Sequence, residues 1–113
     1  MEKSIETLKS EIEEIKRQIV GLDDLRPGSI SEQYNVCGKK GCRCKANPPE
    51  KHGPYYQLSY TRKGKSKSVF VKNENVPEVK RQVENYRLLK SLVERWVDIA
   101  IELADLKNKE GKF

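Results

Sequence analysis

Apolar residues at Ile5, Leu8, Ile12, Ile15, Ile19 and Leu22 recur at alternating intervals of three and four. That spacing lines one seam of a helix, the heptad seam of a coiled coil. Most positions between them are Glu, Lys, Ser or Gln, which suit a solvent-facing helix surface. The pattern predicts a helix over 3–25, roughly 35 Å long at about 1.5 Å per residue. It should stop at Arg26-Pro27-Gly28, where Pro27 lacks a donor and restricts the residue before it.

A second helical pattern opens at Asn75. Asn75 suits an N-cap, Pro77 a first turn, and Glu78 lies where a capping box would place it. Val79, Val83, Tyr86, Leu89, Val93, Trp96, Ala100 and Leu103 form one stripe, widened by Leu92, Val97, Ile99, Ile101, Ala104 and Leu106. Together they cover an arc of roughly 220°, against about 100° for an ordinary surface helix. The two helices are expected to run antiparallel, with Ile5, Ile12 and Ile19 against Val93, Trp96 and Leu103. The excess apolar arc calls for more cover, either a second copy or the middle segment folding onto the helix. A homodimer of two hairpins is the expected arrangement.

Between the helices the period changes to two. Tyr56, Leu58 and Tyr60 alternate with Gln57, Ser59 and Thr61, and Val69 and Val71 with Ser68, Phe70 and Lys72. Lys63-Gly64-Lys65 supplies a glycine for the turn. Ser29 to Val36 reads as a third strand, which a marginal two-stranded hairpin needs as support. The fold class is therefore α+β, mostly α: an antiparallel helical hairpin with a small β-hairpin or three-stranded unit at its tip. The expected divisions are 1–26 for the first helix, 27–74 for the head, 75–108 for the long helix and 109–113 for a frayed tail.

Composition agrees with a modest core. Of 113 residues, 35% are hydrophobic and 35% charged, which suits a coiled coil carrying a small stapled unit. No apolar run is long enough to span a membrane, and the acidic amphipathic start lacks a signal-peptide centre. A cytoplasmic setting is expected, where thiols stay reduced. Three cysteines cannot all pair within one chain, so they are available to metal.

Charge becomes informative once it is localised. Residues 1–25 carry a net of −3, residues 26–75 a net of +8 and residues 76–113 a net of +1. The middle segment alone exceeds the +6 of the whole chain, an electrostatic footprint for a polyanion.

The same segment holds every cysteine and the single histidine, spaced Cys37-x4-Cys42-x-Cys44-x7-His52. Zinc takes four nitrogen or sulfur ligands in a tetrahedron, with thiols deprotonated. Gly38 and Gly41 permit tight folding, and the loop from Lys45 to Pro54 can return His52 to the thiols. Lys39, Lys40, Arg43 and Lys45 favour thiolates. A structural Zn²⁺ held by Cys37, Cys42, Cys44 and His52 is the expected reading. Zinc with a different fourth ligand, or buried thiols with no metal, are the alternatives. Nucleophilic catalysis would need a base and an acceptor site that one histidine in a lysine-rich loop does not specify. The chain is expected to be no enzyme and to take no small-molecule substrate.

Lys39, Lys40, Arg43, Lys45 and Lys51 on the loop, and Arg62, Lys63, Lys65, Lys67 and Lys72 on the hairpin, are the candidate nucleic-acid contacts. Ser66 and Ser68 add hydroxyl donors, a mixture suited to phosphates. A two-stranded ribbon can also enter a major groove. Double-stranded DNA is favoured over RNA as partner, while Tyr56 and Tyr60 are assigned to the core side. The competing reading is a coiled-coil adaptor for protein assembly.

The stretches "RPGSISEQYNVCGKKGCRC" and "HGPYYQLSYTRKGKS" resemble a family of small, functionally uncharacterised bacterial and archaeal proteins. Its members show a CGKxGCRC box, an HGPYYxLSYT box and a long C-terminal helix. The resemblance covers about residues 26–105 and is carried by Cys37, Gly38, Lys39, Gly41, Cys42, Arg43, Cys44, His52, Gly53, Pro54, Tyr55 and Tyr56. Members often lie near transposase genes, which implies a nucleic-acid connection with mobile elements. More loosely, the hairpin and following helix are similar to the arm-binding domains of tyrosine recombinases. That likeness implies binding without strand cleavage.

Overall fold

The computed structural model describes residues 3–35, 41 and 52–113, the side chains of Asn35 and His52 excepted. In chain order the elements are α1 (Ile5–Val20), β1 (Ser29–Asn35), β2 (His52–Arg62), β3 (Lys65–Val71), a 3-10 turn (Asn73–Asn75) and α2 (Val76–Glu110). The fold is α+β and mostly helical. It divides into two compact units, a helical one reaching Leu25 and resuming at Glu84, and a sheet unit spanning Arg26–Val83. Among the described residues no helix is long and apolar enough to cross a membrane.

In the helical unit, α1 starts at Ser4, whose extended backbone lets its hydroxyl accept from the Thr7 amide at 3.2 Å. This satisfies one donor that an N-terminus leaves unpaired. The helix stops at Val20, more than a turn before Leu25, and the Gly21 amide closes it onto the Arg17 carbonyl. Val20 is exposed and Leu22 half-buried, so the heptad seam outlasts the helix that began it.

Leu8, Ile12 and Leu103 form the core of this unit, with Ile5, Trp96, Ile99 and Leu106 packed around them. The pairing is antiparallel, since Lys16 lies 5.4 Å from the Trp96 ring while Asp23 accepts from Asn85 at 2.8 Å. The seam of α2 therefore runs through Leu92, Trp96, Ile99, Leu103 and Leu106, not through Val93, which is 42% exposed. Both sets have the three-and-four spacing that matches α1. The choice between them is made by contact, not by periodicity.

The sheet unit is an antiparallel meander in the order β1-β2-β3. Register places Ile30 opposite Leu58, and Tyr56 and Leu58 opposite Val71 and Val69. Leu58 and Val71 are buried against Val76, Val79 and Val83 of α2, and Ile30, Tyr56 and Tyr60 pack on the same cluster. Tyr56 and Tyr60 thus belong to the core side, as alternation predicts. Fully burying a residue such as Leu58 contributes about 1.5–3 kcal/mol, which three short strands need.

The entry to α2 differs from a capping box. Residues 73–75 are already helical, and the Asn75 amide donates to the Lys72 carbonyl at 2.9 Å. Glu78 accepts from Arg81 at 2.6 Å and from Gln82 at 3.1 Å, pairing forward along the helix.

Gly28 shows how closely β1 is led in. Its φ is +133°, and a Cβ there would sit 2.8 Å from both Leu58 Cδ1 and the Ser59 carbonyl oxygen. Gly28→Ala is expected to cost about 2 kcal/mol or more through backbone strain and displacement of Leu58. Gly21→Ala, at a right-handed position with only 3.5 Å contacts, should be close to neutral. Urea unfolding followed by far-ultraviolet circular dichroism compares the two, and equal midpoints would contradict this packing.

Candidate nucleic-acid interface

β2 and β3 close through Lys63 and Gly64, both with positive φ, at 52° and 76°. Those angles belong to the two-residue turn whose twist matches the flanking strands. The turn sets Arg62 directly opposite Lys65, then one row back Thr61 opposite Ser66 and two rows back Tyr60 opposite Lys67. Every residue from Thr61 to Phe70 is exposed. The end of the hairpin is therefore a two-stranded ribbon with both faces in solvent.

Four of the ten candidate cations gather there. Arg62, Lys65 and Lys67 share the side of the ribbon that further back carries Tyr60 and Leu58, and Lys63 occupies the turn. None of the four makes an ion pair with a carboxylate among the described residues, and β2 and β3 contain no acidic residue. Elsewhere the protein pairs its charges readily, as in Arg17 with Glu14, Arg81 with Glu78 and Arg87 with Glu84. Like charges directly opposite each other on a sheet are destabilising. The Arg62–Lys65 pair is thus a local cost left uncompensated by any described neighbour.

Lys72 is separated from this group. It lies one residue beyond β3 in extended backbone, roughly 24 Å from Lys65 at about 3.4 Å per residue. Alternation also turns it to the other side of the sheet. Lys39, Lys40, Arg43, Lys45 and Lys51 lie outside the described residues, as do Cys37, Cys42, Cys44 and the His52 side chain. Among the described residues no group of three His, Cys, Asp or Glu is placed to hold a metal.

The backbone frame of the cysteine segment is described at both ends. Asn35 pairs with His52 across β1 and β2, beyond an irregularity between Gln33 and Asn35. Paired Cα atoms in such ladders are about 4.5–5.5 Å apart. The position of His52 is therefore held beside the strand that leads, two residues later, to Cys37. At the same end the Tyr34 hydroxyl donates to the Glu32 carboxylate at 2.7 Å. That hydrogen bond, with some desolvation and the adjacent negative charge, raises the phenol above its ordinary pKa.

Besides Ser66 and Ser68, the side of the sheet away from the core carries residues that sequence reasoning did not assign. In successive rows it presents Gln33 with Tyr55, then Ser31 with Gln57 and Phe70, then Ser29 with Ser59 and Ser68. Ser59 and Ser68 hydroxyls lie 3.0 Å apart, and Thr61 and Ser66 hydroxyls 2.8 Å apart. The period-two pattern contained this grouping. What it lacked was the knowledge that Phe70 stays 60% exposed.

Residues 5–81 match a family described as a domain of unknown function, DUF6788, and the chain belongs to that family. No match is found among curated proteins or solved structures.

Proposed function

We propose that this DUF6788 protein is a non-catalytic nucleic-acid-binding accessory protein whose β2–β3 ribbon meets double-stranded DNA. The observation that carries the reading is the cluster of Arg62, Lys63, Lys65 and Lys67 on an exposed ribbon, without a carboxylate partner among the described residues. Self-repulsion at the ribbon end is relieved when phosphates replace solvent, and each phosphate neutralised releases counterions. A two-stranded ribbon also has the width a major groove admits, with Arg62 able to reach a guanine edge. The neighbouring genes of the look-alike family fit a role with mobile elements.

The binding should weaken steeply with salt. Anisotropy titrations of a labelled duplex at several salt concentrations are expected to give a linear log–log dependence. Lys63→Glu with Lys65→Glu should lower affinity at least tenfold at low salt and flatten the slope by about two. No binding by the wild-type protein at low salt would reject the reading.

A structural Zn²⁺ held by Cys37, Cys42, Cys44 and His52 forms part of the same proposal. It rests on the donor set and on the register that anchors the His52 position beside β1. The metal would close the segment between β1 and β2 and shape its lysines. Protein purified without chelator should contain about one zinc per chain, and Cys42→Ser should lose it while keeping most helical signal. Absence of metal together with unchanged melting of Cys42→Ser would remove zinc from the account.

One observation supports a second contact. Val93, Val97 and Ile101 are 42%, 48% and 57% exposed and form an i, i+4 stripe on the side of α2 turned away from the seam with α1. We assign this stripe to a homodimer rather than to an unrelated adaptor partner. Lys90 precedes it and Asp105 follows it on the same flank, so two antiparallel copies bring opposite charges together. Light scattering should report a dimer for the wild-type protein and a monomer for Val97→Glu. A wild-type monomer at high micromolar concentration would exclude it.

A further inference from the structure

We infer that the open side of the three-stranded sheet is a binding site for unpaired nucleotides, with Phe70 and Tyr55 as stacking surfaces. The inference rests on the nucleic-acid reading above and adds a second, chemically different subsite to it. Phe70 is 60% and Tyr55 38% exposed, although both stand on a sheet whose other side is filled by aliphatic and tyrosine side chains. They are diagonal neighbours, because Phe70 pairs with Gln57, two residues along β2 from Tyr55. Diagonal side chains on adjacent strands lie about 7–8 Å apart, the distance two splayed bases can span.

The surroundings fit a nucleobase better than an apolar peptide. Gln33 and Gln57 flank the rings, and their mutual amide contact of 3.4 Å is long, leaving donor and acceptor capacity for base edges. The hydroxyls of Ser59, Ser68, Thr61 and Ser66 continue the surface toward the turn. Among the described strand residues no carboxylate stands on this side, since Glu32 is paired with Tyr56 and belongs to the other. Lys72 bounds one end and the ribbon cations the other. From Phe70 to Lys65 is roughly 17 Å along β3 at about 3.4 Å per residue, a reach of a few nucleotides. Bases inside a duplex hide their faces, so a ring that binds by stacking selects strands whose bases are free.

The test compares three labelled probes: a blunt duplex, the same duplex with a short thymidine tail, and a thymidine tract of about ten residues. Wild-type protein should bind the tailed duplex at least fivefold more tightly than the blunt one. Phe70→Ala and Tyr55→Ala should abolish that advantage and weaken the thymidine tract at least fivefold, with blunt-duplex affinity changed by less than twofold. Phe70→Leu, which keeps an apolar side chain on β3, should show the same loss with unaltered melting, separating stacking from folding. Illumination of an iodouracil-substituted tract should attach it to Phe70 or Tyr55. If blunt duplex is bound but the tail adds nothing, or if Phe70→Leu binds every probe like the wild type, the subsite does not exist and the duplex reading stands. If no probe is bound, both fall together.

Discussion

β2 is hydrogen-bonded on both edges, so its side chains have two destinations and strict alternation decides which residue takes which. Tyr56, Leu58 and Tyr60 go to the side closed by Val76, Val79 and Val83, and Tyr55, Gln57 and Ser59 go to the other. A slip of one residue would bury Gln57 and Ser59 and expose Leu58, a loss the small core could not absorb. Gly28 enforces the same register from outside the strand, because only a residue without Cβ fits between Leu58 and the Ser59 carbonyl.

Two kinds of surface follow from that alternation. Where α2 covers the sheet, the core side is apolar. Beyond its reach the same side becomes the run Arg62, Lys65 and Lys67, and the strands continue as a ribbon because the turn at Lys63-Gly64 is short and fits their twist. On the opposite side the Ser59–Ser68 and Thr61–Ser66 hydroxyls meet in pairs, and the rings of Phe70 and Tyr55 stay 60% and 38% exposed. The ribbon cations Arg62, Lys65 and Lys67 and the exposed rings of Phe70 and Tyr55 thus stand on opposite sides of one sheet.

Much of this was legible from spacing. The alternation of three and four announced both helices, and the change to a period of two announced the strands, because each period is set by backbone geometry. The placement of Tyr56 and Tyr60 on the core side followed from the same rule. Other features were not legible. Val93 and Leu92 stand one residue apart in a broad apolar arc, and either suits a partner with heptad spacing. The capping box at Asn75 and Glu78 was a pattern match, yet a 3-10 turn already supplies the helix start and Arg81 lies within reach of Glu78. The cation cluster was readable as composition. Its division into a ribbon group and an isolated Lys72 needed the strand register.

By itself the chain determined its elements, their order, the localisation of positive charge between them and the grouping of three thiols with one imidazole. Those are properties of neighbours in sequence, governed by local geometry and by composition. Only the tertiary structure decided which helical stripe is buried, which side of the sheet receives α2 and therefore which aromatics remain outside. Such choices depend on contacts between residues far apart in the chain, where several arrangements satisfy the same periodicity and packing selects among them.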